Sequence, residues 1–197
     1  MKNLKMASRV ASLIVFAGMG LPALAVTVTA TGGCTTSVAG TTSTITFDGM
    51  NTNDPAGHAT YTGAAFDQGT NPGCGGDWLG LSGQTTMISF DKPIKYFGLA
   101  WGTPDSYNSV QLFNGASSLG TFSGSVATNM YVNFFADAGE EFTEVVLSSS
   151  GCCFETDNQS YTLAPSTAGV PEPNALWLTA LAAAGLSLVG LLRRKRA

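Results

Sequence analysis

The sequence predicts an all-β body, an antiparallel two-sheet sandwich of jelly-roll type, set between an N-terminal export signal and one C-terminal transmembrane helix. Three observations predict it. Short runs rich in Thr, Val, Ile, Phe and Tyr recur along the middle of the chain, separated by clusters of Gly, Asn, Asp and Pro. Several of these runs alternate in polarity: Thr86, Ile88 and Phe90 share one face, as do Phe97, Leu99 and Trp101, and as do Val110 and Leu112. No segment between the two terminal signals sustains a helical period.

Taken in order, the elements begin with residues 1–25. Lys2, Lys5 and Arg9 form a charged head, Val10 to Gly20 is an apolar stretch short for a membrane span, and Ala23-Leu24-Ala25 places small residues where a signal peptidase reads. Cleavage after Ala25 is expected. A lipoprotein signal is not, because Thr31-Gly32-Gly33 stands ahead of Cys34. The body, residues 26–165, is long enough for one domain with its own core. Strands are predicted at Thr42–Asp48, Thr85–Phe90, Ile94–Trp101, Tyr107–Phe113, Ser118–Phe122, Met130–Ala136, Glu141–Ser149 and Ser160–Ala164. Asn114-Gly115 predicts a tight hairpin, since that turn needs residues tolerant of positive φ. Residues 49–83 are rich in Gly, Asn and Asp and read as loops with one short strand around Ala59–Thr62.

The last segment, 166–197, opens as a low-complexity linker. Asn174 to Leu192 is then apolar but for Asn174, Thr179 and Ser187. As a helix it would be roughly 28 Å long, the thickness of a bilayer's hydrocarbon core. Arg193, Arg194, Lys195 and Arg196 follow it, and such positive flanks stay cytoplasmic. The extended Val170-Pro171-Glu172-Pro173 lies directly ahead of the span. These parts, with Trp177 early in the apolar run, resemble the PEP-CTERM sorting signal of bacterial exported proteins. The resemblance implies recognition by exosortase, a membrane-embedded transpeptidase-like cysteine enzyme. It implies an inner-membrane intermediate, removal of the tail, and delivery to the cell surface or extracellular matrix of a Gram-negative bacterium that makes exopolysaccharide. A plain membrane anchor is the simpler reading of the span, but it leaves Pro-Glu-Pro unexplained.

Charge narrows the partners. Within the body only Lys92 and Lys95 are cationic against twelve carboxylates, a net charge of −10. Such a surface repels nucleic acid and anionic membrane and suits divalent cations. All four cysteines, Cys34, Cys74, Cys152 and Cys153, fall in the exported body, which predicts two disulfides. Three pairings are possible; the one expected joins Cys152 and Cys153 separately to Cys34 and Cys74, because a bond between neighbours closes a strained ring. Zinc is disfavoured by the absence of any Cys-x-x-Cys and by a single histidine, His58.

No residues form a convincing catalytic set, so a non-catalytic protein is expected. His58 near Asp54 reads as a polar loop. Glu140, Glu141, Glu144 and Glu155 have no motif that frames a glycosidase pair. Two weaker patterns remain. Pairing of the first and last strands would bring Asp48 near Glu155 and Asp157, a set of hard oxygens suited to structural Ca2+. Trp78 and Tyr107 lie in Asp- and Asn-bearing loops, as rings that stack on sugars do, whereas Trp101 at a strand end reads as core. The reading is a non-catalytic surface or matrix protein associated with exopolysaccharide. The alternative is a specific carbohydrate-binding module on the same fold, with a secreted hydrolase behind it.

Overall fold

The computed structural model describes residues 26–68, 73–124 and 126–166. The predicted signal peptide, the membrane span expected at 174–192 and the residues of the expected sorting motif, Val170, Pro171, Glu172, Pro173, Arg193, Arg194, Lys195 and Arg196, lie outside them. Eleven strands run through the described residues and no helix does. They are β1 (Val26–Gly32), β2 (Ser43–Ile45), β3 (Ala59–Thr62), β4 (Phe66–Gln68), β5 (Asp77–Leu81) and β6 (Thr85–Trp101). β7 (Asn108–Asn114), β8 (Ser117–Ser123), β9 (Met130–Ala136), β10 (Phe142–Ser149) and β11 (Phe154–Leu163) complete the order.

Every pairing is antiparallel, and all eleven strands belong to one curled sheet instead of the two separate sheets expected. The reason is β6. At 17 residues it is long enough to serve two groups of strands. Its first part pairs with β3 and β10, its second with β9 and β11. Asp91, Lys92 and Pro93, the residues read in sequence as a break between two strands, are exposed in the middle of it. Proline donates no ladder hydrogen bond, so it falls where β6 changes partners. One group is β8-β7-β10-β6-β3; the other is β1-β9-β6-β11, with β5 and β2 on the far edge of β11 and β4 beyond β5.

One apolar cluster draws on both groups. Ile88, Val110, Leu112, Val145 and Leu147 come from the first; Leu99, Trp101, Val132, Phe134, Phe154 and Tyr161 come from the second. Alternation predicts these faces, and the structure bears it out for Ile88 and Phe90, for Leu99 and Trp101, and for Val110 and Leu112. Trp101 is core, 2% exposed, and stacks on Phe154 with ring centroids 4.7 Å apart. In β11 the core-facing positions are Phe154 and Thr156 early but Tyr161 late. A bulge at Asn158 and Gln159, with Asn158 at φ 47°, sets these two residues against Leu99 alone and flips the phase.

The hairpin forms one residue further on than Asn114-Gly115. Asn114 pairs with Ser117, so Gly115 and Ala116 make the turn, and of these only Gly115 has positive φ, at 56°.

The disulfide pairing also differs from the expected one. Cys34, after β1, bonds Cys74, ahead of β5, with Cα atoms 5.4 Å apart; Cys152 bonds its neighbour Cys153 in the turn between β10 and β11. The 49–83 excursion folds back toward the end of β1, so Cys74 meets Cys34. The 151–153 turn is fixed locally instead. Cys153 has φ 75°, and its carbonyl accepts from Thr103 Oγ1 at 2.9 Å and Asn108 Nδ2 at 3.3 Å.

Candidate functional site

The register of β4, β5 and β11 decides which side chains meet. Asp67 lies opposite Trp78, and Gly80 lies opposite Glu155. Trp78 and Gly80 are two apart on β5, and Glu155 and Asp157 are two apart on β11. In a pleated strand, residues two apart share a face. Asp67, Trp78, Gly80, Glu155 and Asp157 therefore share the outward face, while Leu79, Leu81, Phe154 and Thr156 fill the inward one.

Gly80 is required there. A Cβ at this position would stand 2.7 Å from Trp78 Cζ3, so a hydrogen at 80 lets the indole lie down on the strand. The ring walls a cavity of about 170 Å³, whose other walls include Asp67, Glu155 and the Cys152–Cys153 turn. Glu155 is 5% exposed. Trp78 Nε1 is buried with no hydrogen-bond partner among the described residues.

Tyr107 packs against the same turn. Its ring packs on Gly151, where a Cβ would approach Cδ2 to 2.9 Å, and its hydroxyl donates to Asp105 Oδ2 at 2.6 Å. That hydrogen bond, then burial, then the charges of Asp105 and Glu155 push the phenol's pKa up. Trp78 and Tyr107, both singled out in sequence, thus lie against one disulfide turn, with Glu155 near enough to act on Tyr107. Tyr107 is 40% exposed and remains accessible.

The three carboxylates proposed for calcium are partly brought together. β2 pairs with β11, as expected of the first and last predicted strands, and the turn after β2 carries Asp48 toward Asp157. Asp77 Oδ2 accepts from the backbone N–H groups of Gly49 and Met50 at 2.8 and 3.1 Å, which clips this turn to the start of β5. Asp48 Oδ1 lies so close over Gly76 that any side chain there would collide with it. Among the described residues no group of three His, Cys, Asp or Glu side chains could hold a metal ion. Glu155 shares the face but faces the Trp78 cavity.

Burial raises the Asp157 carboxyl to about 7, the hydrogen bond from Asn158 N–H opposes this, and the Asp48 charge adds to the rise. The linkage follows directly. An acid whose folded pKa lies above its ordinary 3.8 favours the fold below that value, and the contribution is lost as pH rises through about 7. Asp157→Asn keeps an acceptor for Asn158 N–H and removes the charge. It is expected to raise the melting temperature at pH 8 by a few degrees, about 1–2 kcal/mol, and to leave it unchanged at pH 4. Thermal melts at the two pH values check this; a loss of stability at pH 8 would count against it.

His58 and Asp54 are joined through backbone. His58 Nδ1 lies 2.9 Å from Asp91 Oδ1, and Asp54 accepts the backbone N–H of His58 at 2.7 Å. Sequence reading missed Asp67, Gly80 and the disulfide turn as cavity walls. The signal was present in "DWLGL", where Trp78 and Gly80 alternate with two leucines.

No family model matches the chain, and no curated protein matches it. Among solved structures it is similar to the X-ray structure of GH31 CBM32-2 bound to GalNAc, at 13% sequence identity and a TM-score of 0.31, over 71% of this chain and 99% of that one.

Proposed function

We propose that this chain is a non-catalytic exported protein of the cell surface or extracellular matrix, cut first by signal peptidase and then by exosortase, and associated with exopolysaccharide. The observation that carries this reading is the succession of motifs in the tail sequence: Val170-Pro171-Glu172-Pro173, an apolar run, then Arg193 to Arg196. The body supports it. β11 ends at Leu163, so the last strand is complete before the tail begins, and both disulfides suit an oxidising compartment. The curled sheet is read as a jelly-roll-like sandwich whose two layers share β6.

Mature protein released from the cell surface is expected to begin at Val26 and to lack everything after about Pro173. Intact-mass analysis checks this, and a species retaining Trp177 to Ala197 restores the plain membrane anchor.

A second reading, a specific carbohydrate-binding module, is favoured by Trp78 and Tyr107, both packed against one fixed turn. Indole and phenol rings beside carboxylates provide the stacking face and acceptors that a sugar ring needs. Calcium belongs to this proposal as a structural ion at Asp48 and Asp157, where it would relieve the repulsion between them. Repeating the pH 8 melts in millimolar calcium and in chelator tests it: equal melting temperatures leave these residues as ordinary turn acids.

A further inference from the structure

We propose that the cavity between Trp78 and the Cys152–Cys153 turn binds a cationic amino-sugar residue of a polysaccharide, its ring on the indole and its ammonium toward Glu155 and Asp67. This rests on the carbohydrate-binding reading above and names the class of sugar. Three features carry it.

The first is charge. The cavity walls include two carboxylates and no basic side chain. The body's two lysines are elsewhere: Lys95 Nζ donates to the Glu140 carbonyl and lies 3.8 Å from Glu141 Oε1, and Lys92 lines a different hollow with Glu141. Asp105, hydrogen-bonded to Tyr107, adds to the negative potential around the turn. A uronic acid is repelled by this field, a neutral sugar makes no use of it, and an ammonium is attracted. Glu155, 5% exposed, forms part of the cavity wall itself.

The second is the floor. Gly80 lets the Trp78 indole lie along the strand, and an indole face attracts both the C–H edge of a pyranose and a neighbouring ammonium. A volume of about 170 Å³ admits a single ring, below the several hundred that drug-sized ligands occupy.

The third is rigidity. A bond between adjacent cysteines removes rotational freedom from the turn, whose carbonyl at Cys153 is already held by Thr103 and Asn108. Tyr107 packs on Gly151 directly before it. The wall is in place before a ligand arrives, which lowers the ordering cost of binding.

The test is calorimetric titration of the full chain, disulfides intact, in mild detergent. The probes are tetramers of glucosamine, N-acetylglucosamine, glucose and galacturonic acid, with tetralysine as a cation that carries no sugar ring. The glucosamine tetramer is expected to bind at least tenfold more tightly than the other four. Glu155→Gln and Trp78→Ala should each cost at least tenfold, while Glu144→Gln, a remote carboxylate on β10, should cost nothing. Should Trp78→Ala fail to fold, Glu155→Gln and Trp78→Phe carry the localisation. Equal binding of the glucosamine, N-acetylglucosamine and glucose tetramers overturns the cationic assignment and leaves a carbohydrate-binding protein. No binding of any sugar overturns both. Equal binding of tetralysine, or unchanged affinity in Glu155→Gln, reduces the effect to diffuse attraction by the acidic surface and overturns the site.

Discussion

Asp54→Ala is expected to lower the melting temperature by roughly 10 °C, corresponding to about 3 kcal/mol for a domain of this size. One carboxylate organises the end of the loop between β2 and β3 and ties it to β2 and β11. Its oxygens accept from Ser43 Oγ and Tyr161 hydroxyl at 2.5 Å each, and from the backbone N–H groups of Ala56, His58 and Ala59 at 3.0, 2.7 and 2.8 Å. Hydrogen bonds to a charged group contribute about 1.5–3 kcal/mol each. Water replaces part of that for the three backbone groups, which lie on a half-buried loop. The buried Tyr161 hydroxyl has no such recourse, so the sum is set well below five full bonds. Burial alone would raise the Asp54 pKa; the bonds from Ser43, Tyr161, Ala59 and Ala56 outweigh it and hold it at about 2. A carboxyl depressed below its ordinary 3.8 stabilises the fold above that value and loses the contribution as pH falls through about 2. The gap between wild type and Asp54→Ala should therefore be full at pH 7 and narrow toward pH 2. Thermal melts across that range read it, and a gap that does not change with pH assigns the effect to packing alone.

The second large effect separates the two disulfides. Cys34–Cys74 closes a sequence separation of 40 residues, whereas Cys152–Cys153 closes a separation of 1. Loop-closure entropy assigns the first on the order of 4 kcal/mol and the second almost none. The double variant Cys34→Ser, Cys74→Ser is expected to lose roughly 10–15 °C in melting temperature, while Cys152→Ser, Cys153→Ser loses about 3 °C or less. Comparable losses in the two variants would show that the vicinal pair holds tertiary structure and not merely its own turn. The same two proteins bear on the cavity, since only the second is expected to alter the wall opposite Trp78.

The parts of the fold legible in sequence are those with two chemically different faces. β3 and β9 fall on their expected bounds and β7, β8 and β10 within a residue of theirs; polarity alternates along β7 and β10, while β9 is marked by its aromatic and β-branched run. β1 escaped notice although its run is threonine- and valine-rich. It is an edge strand whose residues after Val26 are all exposed, so no apolar stripe marks it. β5 was hidden by the glycines around it, and Gly80, which weakens its strand signal, is the residue that seats Trp78. Pro93 read as a boundary, but it lies within a single strand, where β6 changes partners. For the site, Trp78, Tyr107, Glu155 and the Asp48–Asp157 approach were legible as residue types and as a pairing of first and last strands. Their relation through the disulfide turn was not. Four cysteines permit three connectivities, and nothing in their spacing favours neighbours.

The two ends of the body are held in different ways, and this has a mechanical consequence. Among the described strands β1 pairs with β9 alone, so tension on the N-terminus works at one row of ladder bonds along an edge. β11 is bonded to β6 along one side and to β5 and β2 along the other. Tension drawn along the C-terminus, the end that carries the proposed sorting tail, loads those rows in shear on both flanks at once, with the bulge at Asn158 and the Tyr131 hydroxyl bonded to its carbonyl at 2.8 Å acting as a catch. A body tethered through its C-terminus would transmit drag from its surroundings into its most firmly held strand.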